Sequence, residues 1–156
     1  VHGSRGLGDV YKRQINDRID LALAVDADGV HLGQDDLPTD VARGLIGEAR
    51  LLGRSTNTLD DVRRADAEAC DYLGLGPVHT TVVKPDKPAV GPVRLQEAQA
   101  ITRLPVFAIG GIDLDNIAAL LDVGCRRIAV IGAIMAAENP ERASQQLLQA
   151  LLPPVD

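Results

Sequence analysis

Short apolar runs alternate with amphipathic segments along this chain. Runs rich in leucine and β-branched residues suit strands buried on both faces, and they occupy residues 29–32, 51–54, 72–75, 106–109 and 128–131. Apolar residues recur between them at helical spacing, as at Leu59/Val62/Ala65/Ala69, Leu95/Ala98/Ile101, Ile117/Leu120/Leu121 and Ala143/Leu147/Leu148/Leu151. The pattern predicts a parallel sheet with helices packed against it.

The ends of the predicted helices carry typical sequence signals. Thr58 precedes one apolar stripe, and Asn139 followed by Pro140 precedes another. Pro92 suits the first turn of a third helix, and Gly124 follows the end of a fourth. We therefore expect helices to begin after Thr58 and Asn139 and to end just before Gly124.

The spacing of the strands indicates successive βα units. Strand starts recur at intervals of about 20 residues, with one longer interval that contains a loop over residues 76–91. An ordered insertion at the carboxyl end of a strand is where α/β folds place ligands. Periodicity alone leaves two folds open, an open doubly wound sheet and part of a closed (β/α)₈ barrel.

Composition excludes several classes of function. The 156 residues carry a net charge of −6 and no run of Lys/Arg, so we expect no nucleic-acid or anionic-membrane partner. No apolar run approaches the roughly 20 residues that span a bilayer. Cys70 and Cys125 lie far apart without metal-binding spacing, which predicts reduced, buried thiols. We expect a soluble, cytoplasmic protein.

Residues 1–14 differ from the rest of the chain. They are glycine-rich, basic and aperiodic, and their GDVYKRQ string resembles translated adapter sequence. We interpret 1–14 as a non-native or disordered extension and 15–156 as one domain.

Acidic residues lie on both sides of the first predicted helix, before it and after the strand that follows it. Asn16 and Asp17 precede a helix that begins near Ile19, and Asp17 considered alone suits a helix cap. Asp35 and Asp36 follow the strand at 29–32. Carboxylates after adjacent parallel strands converge on one edge, and such oxygens suit Mg²⁺ bound together with a substrate phosphate.

Two further regions could bind phosphate. Thr80, Thr81 and Lys84 offer hydroxyls and a cation beside a glycine-rich turn, although a solvated surface loop explains them equally well. Glycines at 110–111 and 132 end two successive strands, where helix N-termini could present N–H groups to a phosphate. Close helix-strand packing is the alternative reason for these glycines.

The histidines are weaker candidates. His31 alternates within a buried strand and is more simply a hydrogen-bonded core residue than a ligand, whereas His79 lies in the long loop and could contact substrate. No nucleophile motif, Walker A sequence or GxGxxG sequence is present. Nucleophilic catalysis by the protein is therefore not indicated.

Considered together, five segments resemble the thiamine-phosphate synthase family, in order and with similar spacing. They are INDRIDLALAVDADGVHLGQDDLP, GRSTNT, DYLGLGPVHTTVVKPDK, PVFAIGGI and GCRRIAVIGAI. The resemblance implies a (β/α)₈ TIM barrel, truncated and retaining about the last five βα units. It also implies a Mg²⁺-dependent transferase that joins hydroxymethylpyrimidine diphosphate to thiazole phosphate and releases pyrophosphate.

The resemblance further implies roles for individual residues. Metal binding falls to Asp17 and Asp36, and catalysis to Lys84 and Asp36. Substrate binding falls to Asn16, Ser55, Thr81, Lys84, Gly111, Ile131 and Gly132. Within this set Ser55 would touch the diphosphate or the pyrimidine side, and Gly111, Ile131 and Gly132 would contact the thiazole phosphate through the backbone.

The chain departs from the family pattern in three respects. Val83 replaces a usual threonine, Gly132 stands where serine is frequent, and the first two βα units with their Arg/Lys residues are absent. An incomplete barrel has unpaired edges, so we expect poor stability and no activity from this chain alone. The alternatives are a thiazole tautomerase-type isomerase and a non-catalytic phosphate-binding barrel. The oligomeric state remains open.

Overall fold

A computed structural model describes residues 12–80 and 88–152. The described residues form one parallel sheet of six strands, ordered β1-β2-β3-β4-β5-β6 as in the sequence. The strands are β1 Gln14–Asn16, β2 Gly29–Leu32, β3 Leu51–Thr56, β4 Tyr72–Leu75, β5 Val106–Ile109 and β6 Ile128–Ala129. The helices are α1 Ile19–Ala24, α2 Thr39–Ile46, α3 Leu59–Asp66, α4 Gly91–Ile101, α5 Ile117–Asp122, α6 Gly132–Met135 and α7 Pro140–Leu151.

The order of the strands decides between the two folds that periodicity left open. In an open doubly wound sheet the order reverses at a switch point and does not follow the chain. Here every strand pairs in parallel with the next one along the chain, as in a (β/α)₈ barrel. The structure is a curled partial barrel, which confirms the predicted fold class.

The strand predictions were largely accurate. The runs at 29–32, 72–75 and 106–109 match β2, β4 and β5 at both ends, while β3 extends to Thr56 and β6 ends at Ala129. The structure adds β1, whose Gln14 pairs with Gly29. Arg13 also donates hydrogen bonds to Asp28 and Val25. The structure thus places Arg13 and Gln14 beside β2, while the boundary after residue 14 stays a prediction and residues 1–11 lie outside the described part.

The two faces of the sheet have different environments. Val30, Leu32, Leu52, Leu73 and Leu75 are fully buried in the core that the sheet shares with the helices. Successive side chains point to opposite faces of a strand, and the alternate residues form a partly polar interior of the barrel. These interior residues are Gln14, Asn16, His31, Ser55, Tyr72 and Phe107. The prediction that both faces are buried is thus right only for the helix-covered face.

Gly53 allows the large interior side chains to pack together. It pairs with His31 on one side and with Tyr72 on the other. A Cβ atom at Gly53 would lie 2.2 Å from Cζ of Tyr72 and 2.5 Å from Nδ1 of His31. Only glycine therefore accommodates both rings in their observed positions.

The helix ends match the sequence signals. Thr58 caps α3 in a capping box with Asp61, and the Asn139 side chain accepts a hydrogen bond from the Arg142 N–H at the start of α7. Pro92 lies in the first turn of α4. Gly124 follows α5 with a φ of 78°, a conformation that favours glycine.

The capping box leads to a pH-dependent prediction. Burial raises the pKa of Asp61, whereas hydrogen bonds from Thr58 and the Asn57 N–H lower it. The hydrogen bonds together have the larger effect, so the pKa of Asp61 lies below its usual value. A lowered folded-state pKa stabilises the protein above the unfolded value of about 4, and this stabilisation disappears as the pH falls through the folded value. We expect Asp61→Asn to be destabilising near pH 7 and the difference from wild type to vanish in acid. Urea unfolding across this pH range checks it, and a constant difference would contradict it.

The cysteine prediction is confirmed, since Cys70 and Cys125 are both free and buried. Burial raises the pKa of the Cys70 thiol to about 11, so the thiol is protonated and unreactive at neutral pH. Within residues 12–80 and 88–152, no helix has the length and apolar character needed to cross a bilayer.

Candidate functional site

The predicted acidic and amide residues lie at the carboxyl ends of neighbouring strands. Asn16 is the last residue of β1 and Asp17 follows it, while Asp36 lies in the loop after β2. Because β1 and β2 are parallel neighbours, these residues share one edge of the sheet. Ser55 lies near the carboxyl end of β3, the next strand. The fold thus brings these four predicted site residues to one rim of the barrel, at the carboxyl ends of β1, β2 and β3.

Asp17 has an unusual backbone conformation. Its φ is +62°, in the left-handed region, and its N–H donates to the His31 carbonyl oxygen over 2.8 Å. The N-cap of α1 is Arg18, which makes no side-chain capping bond. The interpretation of Asp17 as a helix cap was therefore wrong. A non-glycine residue held at positive φ at a rim is typical of functional positions.

Asp36 is partly buried within its loop. Its Oδ2 accepts a hydrogen bond from the Gly33 N–H over 2.6 Å. This bond fixes the carboxylate just beyond β2, while the neighbouring Asp35 is exposed. Asp36 is thus the better-positioned acid of the pair.

The donor set fits Mg²⁺ bound together with a substrate phosphate. Asp17 and Asp36 offer carboxylates from the ends of adjacent strands. The described residues contain no cluster of three or more His, Cys, Asp or Glu side chains that would hold a metal without a substrate. Mg²⁺ is commonly held by one or two carboxylates, with waters and substrate phosphates completing its octahedron. Two acids at this rim are therefore a sufficient protein contribution.

A further acidic residue near the rim forms an ion pair with an arginine. Arg18 donates two hydrogen bonds to the carboxylate of Asp20, and this pairing lowers the pKa of Asp20 to about 2. Both side chains are exposed. The Asp20 carboxylate is thus engaged with Arg18 beside the predicted metal site.

The long loop after β4 is attached at both of its ends. Val78 and His79 donate backbone hydrogen bonds to Ile109 and Gly110 at the end of β5, over 2.9 and 3.1 Å. Val90 donates to the Pro77 carbonyl oxygen over 2.8 Å, which brings the two ends of the loop together. The predicted Thr81 and Lys84, and the departure at Val83, lie outside the described residues.

The glycines after β5 are required by packing. Gly110 and Gly111 have positive φ values of 99° and 66°. A Cβ atom would lie 2.6 Å from Pro77 at Gly110 and 2.5 Å from the Thr80 carbonyl oxygen at Gly111. Close packing against the long loop therefore accounts for these glycines. The prediction that they open a helix was wrong, because α5 begins only at Ile117.

Gly132 has a different environment. It is the first residue of the four-residue helix α6, and no atom lies within 4 Å of the position its Cβ would take. Packing against the described residues thus does not require glycine here. Ile131, which precedes it, is 60% exposed. The backbone at 131–132 is accessible at the same rim.

His31 is a hydrogen-bonded interior residue, as predicted. Its Nδ1 lies 3.0 Å from the Tyr72 hydroxyl, and its Nε2 lies 2.9 Å from Oγ of Ser55. Tyr72 in turn donates to Oε1 of Gln14 over 2.7 Å, and its ring packs edge-on against Phe107 at 5.4 Å. Burial raises the pKa of Tyr72, so its hydroxyl remains protonated at neutral pH.

Sequence reasoning did not find the contributions of Tyr72 and Gln14 to the site. Tyr72 begins a predicted strand, and its alternation with Leu73 would have placed it on the interior face. Gln14 fell within the segment assigned to the extension, so its pairing was not considered.

Comparisons with known proteins agree with this fold. A family model described as "Thiamine monophosphate synthase" matches residues 12–134. The chain is similar to a thiamine-phosphate synthase of Parasynechococcus marenigrum (strain WH8102), at 70% identity over 90% of this chain and 40% of the relative. A second one, from Prochlorococcus marinus (strain MIT 9303), is 62% identical over 88% of this chain and 39% of the relative. The chain thus spans about two fifths of the length of these curated relatives.

A solved structure shares the architecture. The thiamine phosphate pyrophosphorylase from Pyrococcus furiosus superposes with a TM-score of 0.81 and 38% identity, covering 90% of this chain and 68% of that one. A 3-hexulose-6-phosphate synthase superposes with a TM-score of 0.63 at 19% identity, covering 86% of this chain and 67% of that one, and this likeness concerns the fold alone. Because the matched region covers most of its length, this chain belongs to the thiamine monophosphate synthase family.

Proposed function

We propose that the complete protein containing this chain is a transferase that joins hydroxymethylpyrimidine diphosphate to thiazole phosphate, giving thiamine phosphate and pyrophosphate. The observation that carries the proposal is the pair Asp17 and Asp36 at the carboxyl ends of adjacent strands β1 and β2. Sequence similarity also supports the proposal, since the chain is 70% identical to a named thiamine-phosphate synthase over 140 residues.

The substrates would meet at the carboxyl rim of the barrel. Asn16 and Ser55 would bind the pyrimidine diphosphate, and Gly111, Ile131 and Gly132 would offer backbone groups to the thiazole phosphate. Thr81 and Lys84 would reach the phosphates from the long loop. The attachment of that loop to the end of β5 supports this arrangement, because it holds the loop base above the rim.

The reaction would break the bond between the pyrimidine methylene carbon and the diphosphate oxygen. The thiazole nitrogen would form the new bond to that carbon, so no protein nucleophile is required. Asp17 and Asp36 would hold Mg²⁺, which when bound neutralises charge on the leaving diphosphate. Lys84 would stabilise the same departing charge as a catalytic cation.

We also propose a cytoplasmic location and small-molecule substrates, without a nucleic-acid or membrane partner. Two free, buried cysteines and the acidic net charge of −6 support this assignment. Residues 15–156 are proposed to form part of one barrel domain.

The main alternative is a tautomerase-type isomerase on the same barrel. Proton transfer needs an acid-base group, and the segment 55–58 after β3 contains no histidine. The two rim carboxylates favour the synthase over this alternative. A phosphate-binding barrel without catalysis is supported only by Val83.

Pyrophosphate release from the purified complete protein tests the proposal. We expect release that requires Mg²⁺ and both substrates together. Isomerisation of the thiazole phosphate without pyrophosphate release would favour the tautomerase. Binding of both substrates by a folded protein without either reaction would favour the non-catalytic barrel.

A further inference from the structure

The outer face of α2 is apolar, although this helix lies at the surface of the described barrel. Val41 and Leu45 are one helical turn apart, and Leu37 lies at the same spacing just before the helix. The three residues are 45, 45 and 53% exposed for Leu37, Val41 and Leu45. We call Leu37, Val41 and Leu45 the outer stripe of α2.

The buried face of α2 includes polar residues. Thr39, Ala42, Arg43 and Ile46 are buried, and the Arg43 guanidinium donates to backbone carbonyl oxygens of neighbouring elements. A surface helix usually directs apolar residues toward the core and polar residues toward solvent. Here an arginine faces inward while a valine and a leucine face outward. The core of this barrel therefore does not explain the outer stripe.

Gly44 lies within α2, beside the outer stripe. Glycine is less favourable than alanine in the interior of a helix. No described atom lies within 4 Å of the position that a Cβ atom would take at Gly44, so packing among the described residues does not require glycine. A glycine on an exposed helix face lets another backbone approach closely. Gly44 and the outer stripe together indicate a surface on which another segment packs.

Further units of the same barrel would not cover this surface. Such units extend the sheet at its two open edges, beyond β1 and β6. α2 connects β2 with β3 and lies between α1 and the turn after α3. Thr39 and Arg43 donate to Glu68 and Ala69 of that turn. Because α2 is flanked on both sides and its outer stripe points away from the sheet, the occupant lies outside the barrel.

The curated relatives are longer than the solved enzyme of the same fold. This chain covers 40% of the relative from Parasynechococcus marenigrum but 68% of the enzyme from Pyrococcus furiosus, and 90% of this chain is aligned in both cases. The relative therefore has about 140 residues more, which is the size of an ordinary domain. We call these residues, which have no counterpart in the solved enzyme, the additional segment.

We propose that the complete protein contains such an additional segment, and that an apolar face of this segment packs on Gly44 and the outer stripe of α2. The proposal concerns the assembly of the complete protein and does not depend on the reaction at the rim. A second copy of the barrel is a less suitable occupant. Asp40 and Glu48 are exposed near the two ends of α2. A two-fold contact of α2 with itself would place acids of one copy opposite acids of the other, which is unfavourable.

Alkylation of engineered cysteines in the complete protein tests whether the surface is covered. Leu45→Cys places a thiol on the outer stripe, and Arg63→Cys places one on α3, where the Arg63 side chain is 58% exposed. The wild type gives the background rate from Cys70 and Cys125, which are buried. With N-ethylmaleimide we expect Leu45→Cys to react at least about tenfold more slowly than Arg63→Cys, because a covered thiol reacts only when the contact opens. Equal rates overturn the proposal.

Gly44 provides a variant that disturbs only the proposed contact. Gly44→Leu fits the barrel, because the position of its Cβ atom is open among the described residues. Its side chain would separate α2 from a segment packed on it. In the Leu45→Cys background we expect Gly44→Leu to raise the alkylation rate at least about threefold. Ala119→Leu, at an exposed position of α5, is the matched control and should leave the rate unchanged. An unchanged rate with Gly44→Leu overturns the proposal.

Photocross-linking identifies the occupant. In the complete protein, Val41→p-benzoylphenylalanine should form cross-links to peptides of the additional segment within one chain, which mass spectrometry of the monomer band identifies. Cross-links to barrel peptides in a band of twice the mass would identify a second copy and overturn the proposal. A complete reading frame no longer than the solved enzyme from Pyrococcus furiosus would overturn it as well.

Discussion

Replacement of Asp36 by asparagine in the complete protein should lower kcat for pyrophosphate release at least about a hundredfold. The loss corresponds to about 3 kcal/mol of charge stabilisation in the transition state. Asparagine retains an oxygen that can accept the Gly33 N–H, so the loop after β2 should keep its conformation. Steady-state kinetics over a range of Mg²⁺ concentrations measure the effect, and the concentration for half-maximal activity should rise.

The neighbouring acid provides a matched control. Asp35 is exposed and follows the same strand, so Asp35→Asn removes the same charge one residue away. We expect its kcat to stay within about twofold of wild type, since an exposed charge is screened by solvent. Equal activity of the two variants would contradict the assignment of Asp36.

Replacement of Arg43 by methionine should destabilise the protein by about 2 to 3 kcal/mol. Arg43 lies on α2 and is only 8% exposed. Its guanidinium donates to the carbonyl oxygens of Ala69, Gly47 and Arg50 and to the carboxylate of Asp71, over 2.7 to 3.0 Å. Methionine fills a similar volume but removes these hydrogen bonds, and a hydrogen bond that involves a charged group contributes about 1.5 to 3 kcal/mol.

The size of this effect follows from what Arg43 connects. Its partners lie at the end of α2 and just before β3 and β4, and Asp71 also accepts from the Leu52 N–H. The side chain therefore links a helix to the amino ends of two strands. The site lies at the carboxyl ends of the strands, so kcat of the folded variant should be nearly unchanged.

Urea unfolding of the complete protein measures the loss of stability. Arg63→Met is the control, because Arg63 is an exposed arginine paired with the exposed Asp60. An exposed pair of this kind contributes at most about 1 kcal/mol. Similar losses in the two variants would show that Arg43 does not link the elements as described.

Several features could be predicted from sequence because they depend on neighbouring residues. The capping box of Thr58 and Asp61 spans four residues, and the helix start at Asn139 depends on the same turn. Strands β2, β4 and β5 were predicted at both ends, since a short apolar run bounded by turn residues is a local pattern. The pairing of Asp17 with Asp36 also predicted that both acids lie at one rim.

Other features depend on contacts between distant residues. The need for glycine at 111 comes from the carbonyl oxygen of Thr80 in another loop, and the conformation of Asp17 is fixed with the help of His31. Arg43 reads as an ordinary helix residue in the sequence, although its partners extend to Asp71. Such residues acquire their roles only when the chain brings separate segments together.

The sequence by itself therefore determined the alternation of strands and helices, the positions of the helix ends and the resemblance to a family of barrel enzymes. The tertiary structure decided that the strands pair in chain order, and it assembled Gln14, Tyr72, His31 and Ser55 into one hydrogen-bonded chain. The physical reason is range: capping and periodicity act within a few residues, whereas strand register sets which interior side chains meet across the sheet.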